Sequence, residues 1–271
     1  MQGHAFIYGA VQVAAKLLLV MAIFVPLERL FSARRQKFFR RAFLTDLGYY
    51  FIGSMVPKLL LTVPLSLLAW CAHRAVPGGL YAFTAQLPMG VRLAAALVVG
   101  EIGYYWGHRW MHEIPVLWRF HAIHHSAEEM DWLINTRAHP LDVFFGRFCG
   151  LVPMYFLGLA QPMTNKLDVV PLLFALIGSL WGFLVHANVN WRFGKLEWLV
   201  TSPAFHHWHH TNDGPDVIDK NYAAMLPWID RIFGTHYLPR HLPEKYGISG
   251  EVPSQLSSQI LKPLQRQAFP E

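Results

Sequence analysis

The stretch HRWMHEIPVLWRFHAIHH, residues 108–125, decides how this chain is read. Five of its eighteen residues are histidines, spaced as His108–x3–His112 and then His121–x2–His124–His125. Positions i, i+3 and i+4 of a helix share a face, so each set is expected to project its imidazoles to one side. A third set, HHWHH at 206–210, repeats the spacing as His206–x2–His209–His210. Neutral imidazole is the commonest metal ligand and suits iron, zinc, copper and nickel. Eight histidines in three helical sets exceed the needs of one four-coordinate ion and would fill two metal centres. Packing alone accounts poorly for the recurring spacing, because clustered neutral rings without partners leave polar nitrogens unpaired.

The rest of the chain puts these histidines beside a membrane. Of 271 residues, 54% are apolar and only 15% charged, and mean hydropathy is positive, which points to a membrane class. The net charge of +6 is concentrated: Arg34, Arg35, Lys37, Arg40 and Arg41 fall within eight residues, directly after a long apolar segment. Beside lipid-length helices such a run reads as a cytoplasmic flank rather than a nucleic-acid patch, and no nucleic-acid partner is expected. Cys71 and Cys149 match no metal or redox spacing. The first apolar stretch runs into VPLERLF without a small-residue cleavage site, so it reads as a retained helix rather than a signal peptide.

The expected fold is all-α: an integral membrane helical bundle of about four to five spans, with a cytoplasmic helical cap carrying a histidine-rich dimetal site. Spans are expected at 6–27, at 44–72 with kinks at Pro57 and Pro64, from 91 into the histidines, at 143–160 and at 169–187. Residues 73–90 are expected as a connecting loop, and QPMTNK at 161–166 as a short connection. With 34–41 cytoplasmic, five spans place the N-terminus outside and all three histidine sets on the cytoplasmic side. A four-span version, with 143–187 re-entrant and the first span lying in the interface, keeps that result. The chain then divides into N-terminal transmembrane helices with the basic loop (1–90), a histidine-bearing catalytic core (91–250) and a tail (251–271) that frays or lies on the bilayer. Within the core, helix is expected near 118–127, irregular chain around 135–140, and a helix start at Thr201-Ser202-Pro203, an N-cap followed by proline.

Several further residues are candidates for the site. His186 in HANVN and His139 in TRAHPLD are additional candidate metal ligands. His207 points about 60° away from His210 on a helix and is set apart; His236 and His241 sit among turn residues, and His4 and His73 face the opposite side. Lys16, inside the first span, must snorkel, pair or face other helices. Glu101 precedes His108 by seven residues and shares its helical face. A carboxylate within a span faces a cavity or a partner, so Glu101 is a candidate catalytic group near the metals, or a mate for Arg147 or Lys58. Glu113 is the other candidate catalytic carboxylate. Asp131, Asp142, Asn188 or Asp213 could orient the rings. Tyr104, Tyr105, Trp106, Trp118, Trp132 and Trp181 could line a substrate path or anchor the chain at the interface.

Taken in order, HRWMH, HAIHH, TRAHPLD, HANVN, HHWHH and NYAAMLPWIDRIFGT resemble the fatty acid hydroxylase/sterol desaturase superfamily over roughly residues 95–240. HRWMHE, with Glu113 after His112, is also similar over that short stretch to the pattern in alkylglycerol monooxygenase. The resemblance implies an integral membrane enzyme that holds two metal ions, iron foremost, and uses O2 to hydroxylate or desaturate an unactivated C–H position of a lipid. It puts His108, His112, His121, His124, His125, His206, His209 and His210 in ligand positions. Where some hydroxylases carry a second H-x3-H, this chain has His186–x3–Asn190. No cytochrome b5-like domain is fused, so electrons are expected from a separate cytochrome b5- or ferredoxin-like donor. Two other readings stand beside this one. A metal transporter or storage protein would need polar residues along several spans, which offer Lys16, Lys58, Glu101 and Arg147. A dizinc hydrolase would need a carboxylate base close to the metals, from Glu113 or Glu128. Dependence on O2 and reductant separates the three.

Overall fold

Long apolar runs poor in turn residues carry this chain into helices. A computed structural model describes residues 2–160, 169–265 and 269, and among them there are ten α-helices and no strand. Helices α1 (Gln2–Phe31) and α2 (Phe43–Ala75) are each long and apolar enough to cross a membrane. The α2 helix runs unbroken through Pro57 and Pro64. Lys16 of α1 pairs with the hydroxyl of Ser179 at 3.3 Å. The expected loop at 73–90 is corrected by the structure: it contains α3 (Gly78–Gln86). This short apolar helix is anchored by the buried Thr84, whose hydroxyl donates to the Leu157 carbonyl at 3.0 Å.

Helix α4 (Met89–Glu113) carries His108 and His112 on its last two turns. It ends at Ile114 because the residue before a proline is driven out of helical geometry; Ile114 sits at φ −103°, ψ 113°. Pro115 then occupies the first turn of α5 (Pro115–His125), where its missing N–H costs nothing. The break folds α5 back on α4, so HAIHH meets HRWMH. A 3₁₀ turn (Trp132–Thr136) and an extended stretch lead to α6 (Pro140–Phe156), followed by α7 (Val170–His186), α8 (Pro203–His209), α9 (Trp228–Ile232) and α10 (Leu256–Leu261). Ser202 caps α8, with Pro203 in its first turn. At 17 residues each, α6 and α7 reach about 25 Å, short of the ~30 Å of hydrocarbon. The connection at 161–166 lies outside the described residues.

Helices α4 and α6 lie unusually close. A Cβ at Gly103 would collide with the Cys149 carbonyl, and one at Gly107 would lie 2.6 Å from the Cys149 Cβ. Small residues permit this approach of backbones, and it brings the N-terminal end of α6 beside the histidines. The tail is corrected too. Rather than fraying, α10 packs on α2: Leu256 covers Gly48, and the Thr45 hydroxyl donates to the Ser254 carbonyl at 3.1 Å.

The basic stretch is tied into the same layer. Arg40 grips Asp131 with two hydrogen bonds, 2.7 and 2.9 Å, and reaches Asp46 at 2.5 Å. Arg137 meets the other Asp46 oxygen at 2.7 Å, and donates to the Ile123 carbonyl and the Ser126 hydroxyl at the end of α5. Two buried guanidiniums and two buried carboxylates thus cancel in charge and clamp α5 to α2. Removing one partner of such a network costs about 3–5 kcal/mol, because it strands the opposite charge. Asp46→Ala is expected to lower the unfolding free energy by about that amount, read as a fall in the thermal midpoint of the detergent-solubilised protein.

Candidate metal centre

Each H-x-x-H-H set divides its histidines between two groups. One group gathers His108, His112, His121, His125 and His209; the other gathers His124, His186, His206 and His210. Within each group the available ligand atoms all lie within 4.8 Å of one another. In α5 the i,i+4 pair His121 and His125 serves the five-histidine group while His124, one position short of the pair, serves the other. At α8 the roles are exchanged: His206 and His210 join the four-histidine group and His209 the five. His210 at the end of α8 stacks on His125, ring centroids 4.4 Å apart, so the groups share a wall.

Hydrogen bonds on the outer edges of the rings decide what the inner edges can do. His121 Nδ1 lies 2.8 Å from an Asp142 carboxylate oxygen, and His112 Nδ1 lies 2.9 Å from Asp219. Backbone carbonyls take the others: Tyr222 for His108 at 2.7 Å, Lys220 for His209 at 2.8 Å, Arg137 for His124 at 3.0 Å and Gly182 for His186 at 2.7 Å. Every partner is an acceptor, so in the neutral form of each ring Nδ1 carries the proton and Nε2 a lone pair.

Those Nε2 atoms converge. His121 Nε2 is 3.1 Å from the Nε2 of His108, of His112 and of His125. In the other group the spacings are 3.3 Å (His186 to His124), 3.0 Å (His206 to His186) and 3.2 Å (His210 to His206). Where acceptors fix both tautomers (His108 and His112 facing His121, His186 facing His124), neutral rings set two lone pairs against one another at that distance, and they repel. Protonation is opposed as well: burial first, then neighbouring imidazoles, hold His124 down at about 4 and His125, His206, His209 and His210 well below the ordinary histidine value. His209 Nε2 is buried with no hydrogen-bond partner. A cation resolves all of this. Metal–nitrogen bonds of about 2.0–2.1 Å put neighbouring ligand nitrogens about 2.8–3.4 Å apart for right-angled to tetrahedral geometry, a range that contains the observed spacings. The donor set fits two metal ions.

Other expected site residues lie elsewhere. His139 is corrected: its Nδ1 accepts from the Leu141 amide at 3.1 Å, capping α6, and its Nε2 meets the Ile260 carbonyl at 3.2 Å. Both ring nitrogens are spent, which leaves none for a metal. His207 is likewise used up, by the Tyr246 hydroxyl (2.8 Å) and the Ala187 carbonyl (3.0 Å). Glu101, expected as catalytic, instead accepts from the Met225 and Leu226 amides at 2.5 and 3.2 Å and ties α4 to that loop. Glu113 pairs with Arg109 at 2.6 Å, with its side chain 45% exposed. Of the four suggested orienting groups, Asp142 holds a ring. Asp131 holds Arg40, Asn188 holds the Arg34 backbone, and Asp213 accepts from the Glu244 and Lys245 amides. Asp219 was missed, and nothing in its local sequence marks it. Tyr104 rests on His108 and Trp118 on His112, whereas Trp132 packs in the core and Trp181 bonds to Thr201.

The geometry sets an expected contrast. His186→Ala should remove one of two bound metal ions per chain, whereas His139→Ala should retain both, measured as metal content of detergent-purified protein.

A relative, the ornithine lipid hydroxylase OlsE of Rhizobium tropici, is 33% identical over 222 residues, 81% of this chain and 62% of that protein. The alkylglycerol monooxygenase of Xenopus tropicalis is 31% identical over 149 residues, 55% of this chain and 31% of its own length. The Delta(7)-sterol 5(6)-desaturase ERG3B of Gibberella zeae is 28% identical over 153 residues, 55% of this chain and 42% of that protein. The chain therefore spans less than two thirds of each of these relatives. No solved structure matches it. The fatty acid hydroxylase family model matches residues 93–235, more than half of the chain and all nine converging histidines, and the chain belongs to that family.

Proposed function

We propose that this chain is a membrane-bound, O2-dependent lipid oxidase holding two histidine-ligated metal ions, with iron as the native metal. The observation that carries the reading is the convergence of Nε2 atoms at 3.0–3.3 Å within two adjoining buried groups. The similar proteins are named as a lipid hydroxylase, a monooxygenase and a desaturase. Such reactions need a redox-active metal, which zinc is not. When bound, the metal pair supplies O2 reduction: a C–H bond, O2, two electrons and two protons give an alcohol and water, or an alkene and two waters. A lipid of the bilayer is the substrate, and the electrons come from a separate cytochrome b5- or ferredoxin-like donor.

The chain's own residues hold the ligands neutral, fix their tautomers and keep water out. Tyr104, Trp118 and Tyr222 lie against rings of the five-histidine group. Asp142 and Asp219 sit on the outer edges of the rings, where a carboxylate raises ligand basicity. A dizinc hydrolase draws little support, because Glu113 is engaged with Arg109 and Glu128 lines a surface cleft beside Gly247. The fold is multi-pass on this reading, with the metal site on the cytoplasmic side. Arg34 donates to the Pro243 and Glu244 carbonyls and Arg40 to Asp131. The basic stretch therefore packs on the layer that carries the histidines, and positive charge marks the cytoplasmic face.

Protein purified in detergent from iron-supplied cells should hold two irons per chain, and His124→Ala with His209→Ala should lose them. With a reductase system and 18O2, wild type should place one labelled oxygen in a lipid alcohol or form an alkene. A folded wild-type protein without metal would overturn the reading.

A further inference from the structure

The motif NYAAMLPWIDRIFGT, 221–235, contains none of the nine histidines. Its placement explains it. Residues 219–222 deliver three hydrogen bonds to the five-histidine group: the Asp219 carboxylate to His112, the Lys220 carbonyl to His209 and the Tyr222 carbonyl to His108. Two residues of this segment, Asp219 at φ 57° and Asn221 at φ 61°, are in the left-handed region, which among residues with a Cβ is most accessible to Asn and Asp. The segment is clamped. Asn221, fully buried, donates through its side-chain amide to the Phe205 and Tyr237 carbonyls (2.9 and 2.6 Å), and its Oδ1 accepts from the Tyr237 amide at 2.7 Å. Asp230 accepts from the Tyr222 and Ala223 amides at 2.8 and 2.9 Å, and from the Thr235 hydroxyl at 2.7 Å. Thr235 in turn bonds to Tyr105 of α4 at 2.9 Å.

The four-histidine group receives nothing from this segment. His124 and His186 are oriented by the Arg137 and Gly182 carbonyls, and the Nδ1 atoms of His206 and His210 are buried without a partner. We infer that residues 219–222, held by Asn221 and Asp230, form a positioning element for the five-histidine group alone, so that the two ions answer to different parts of the chain. The inference rests on both groups holding metal.

The test uses the full chain in detergent, loaded anaerobically with ferrous iron and challenged with rising concentrations of a chelator, with iron per chain measured at each step. Wild type starts at two ions and His186→Ala at one. Asp219→Gly, at a side chain 54% exposed and at a φ of 57° that glycine adopts freely, should release one ion at roughly 10–100-fold lower chelator, the usual effect of losing a ligand's hydrogen-bond partner. Its other ion should leave where wild type releases it. Asp219→Asn, whose carbonyl still accepts from His112, should restore retention. Combined with His186→Ala, Asp219→Gly should weaken the single remaining ion by the same factor. Release of both ions in parallel, no change in release, or an insensitive ion in the double variant would overturn the inference while leaving the dimetal reading intact. Absence of metal from wild type would overturn both.

Discussion

Six imidazoles in this protein have their tautomers set by acceptors behind them, and that constraint governs the rest of the structure. Once Asp142, Asp219 and four backbone carbonyls claim the Nδ1 protons, the Nε2 lone pairs have nowhere to point except at one another. Each buried acceptor without a partner costs about 1–3 kcal/mol, and the fold concentrates several of them in one place. Bound cations would turn that cost into coordination, and the stability of the fold around the histidines would then be thermodynamically linked to their occupancy. Low proton affinity reinforces the point: burial that keeps His124 at about 4 also keeps the ring available as a neutral ligand.

The two groups are built from the same parts and end up unequal. Helix α4 contributes His108 and His112 to one group, whereas α7 contributes only His186 to the other. The position that would mirror His112 is Asn190, which lies beyond the end of α7 and is exposed. One group therefore has five histidines, two of them backed by carboxylates; the other has four, backed by carbonyls or by nothing. Ligands with carboxylate partners are the more basic, so the two ions would differ in electron density as well as in coordination number.

Carboxylates elsewhere serve architecture. Glu101 spends its charge on two backbone amides, and Asp230 does the same for the segment that orients His108 and His209. The Asp131–Arg40–Asp46–Arg137 chain of ion pairs holds the end of α5, from which three of the converging histidines project. Buried charge here fixes the position of a helix that short-range packing alone would leave free to slide.

Much of this was legible in one dimension. Helical spacing identified the three histidine sets, Ser202-Pro203 marked where one helix begins, and apolar length marked α1 and α2. His186 was readable because it closes an apolar helix at the depth of the other sets. Spacing along a helix was too coarse for the partition of each H-x-x-H-H set between two ions, since one helical face can look onto two sites. Glu101 and His139 were misread for a related reason: a titratable side chain near ligands in sequence can be saturated by backbone groups that only folding brings close, as the 225–226 amides and the Ile260 carbonyl are. Asp219, 107 residues from His112, and the carbonyls behind the rings left no local trace. By itself the sequence determined that imidazoles would cluster beside a membrane, because ligand type and helical period are local properties. The tertiary structure alone decided which imidazoles gather in which group and, for six of them, which nitrogen is turned inward, because those depend on packing and on acceptors contributed by distant parts of the chain.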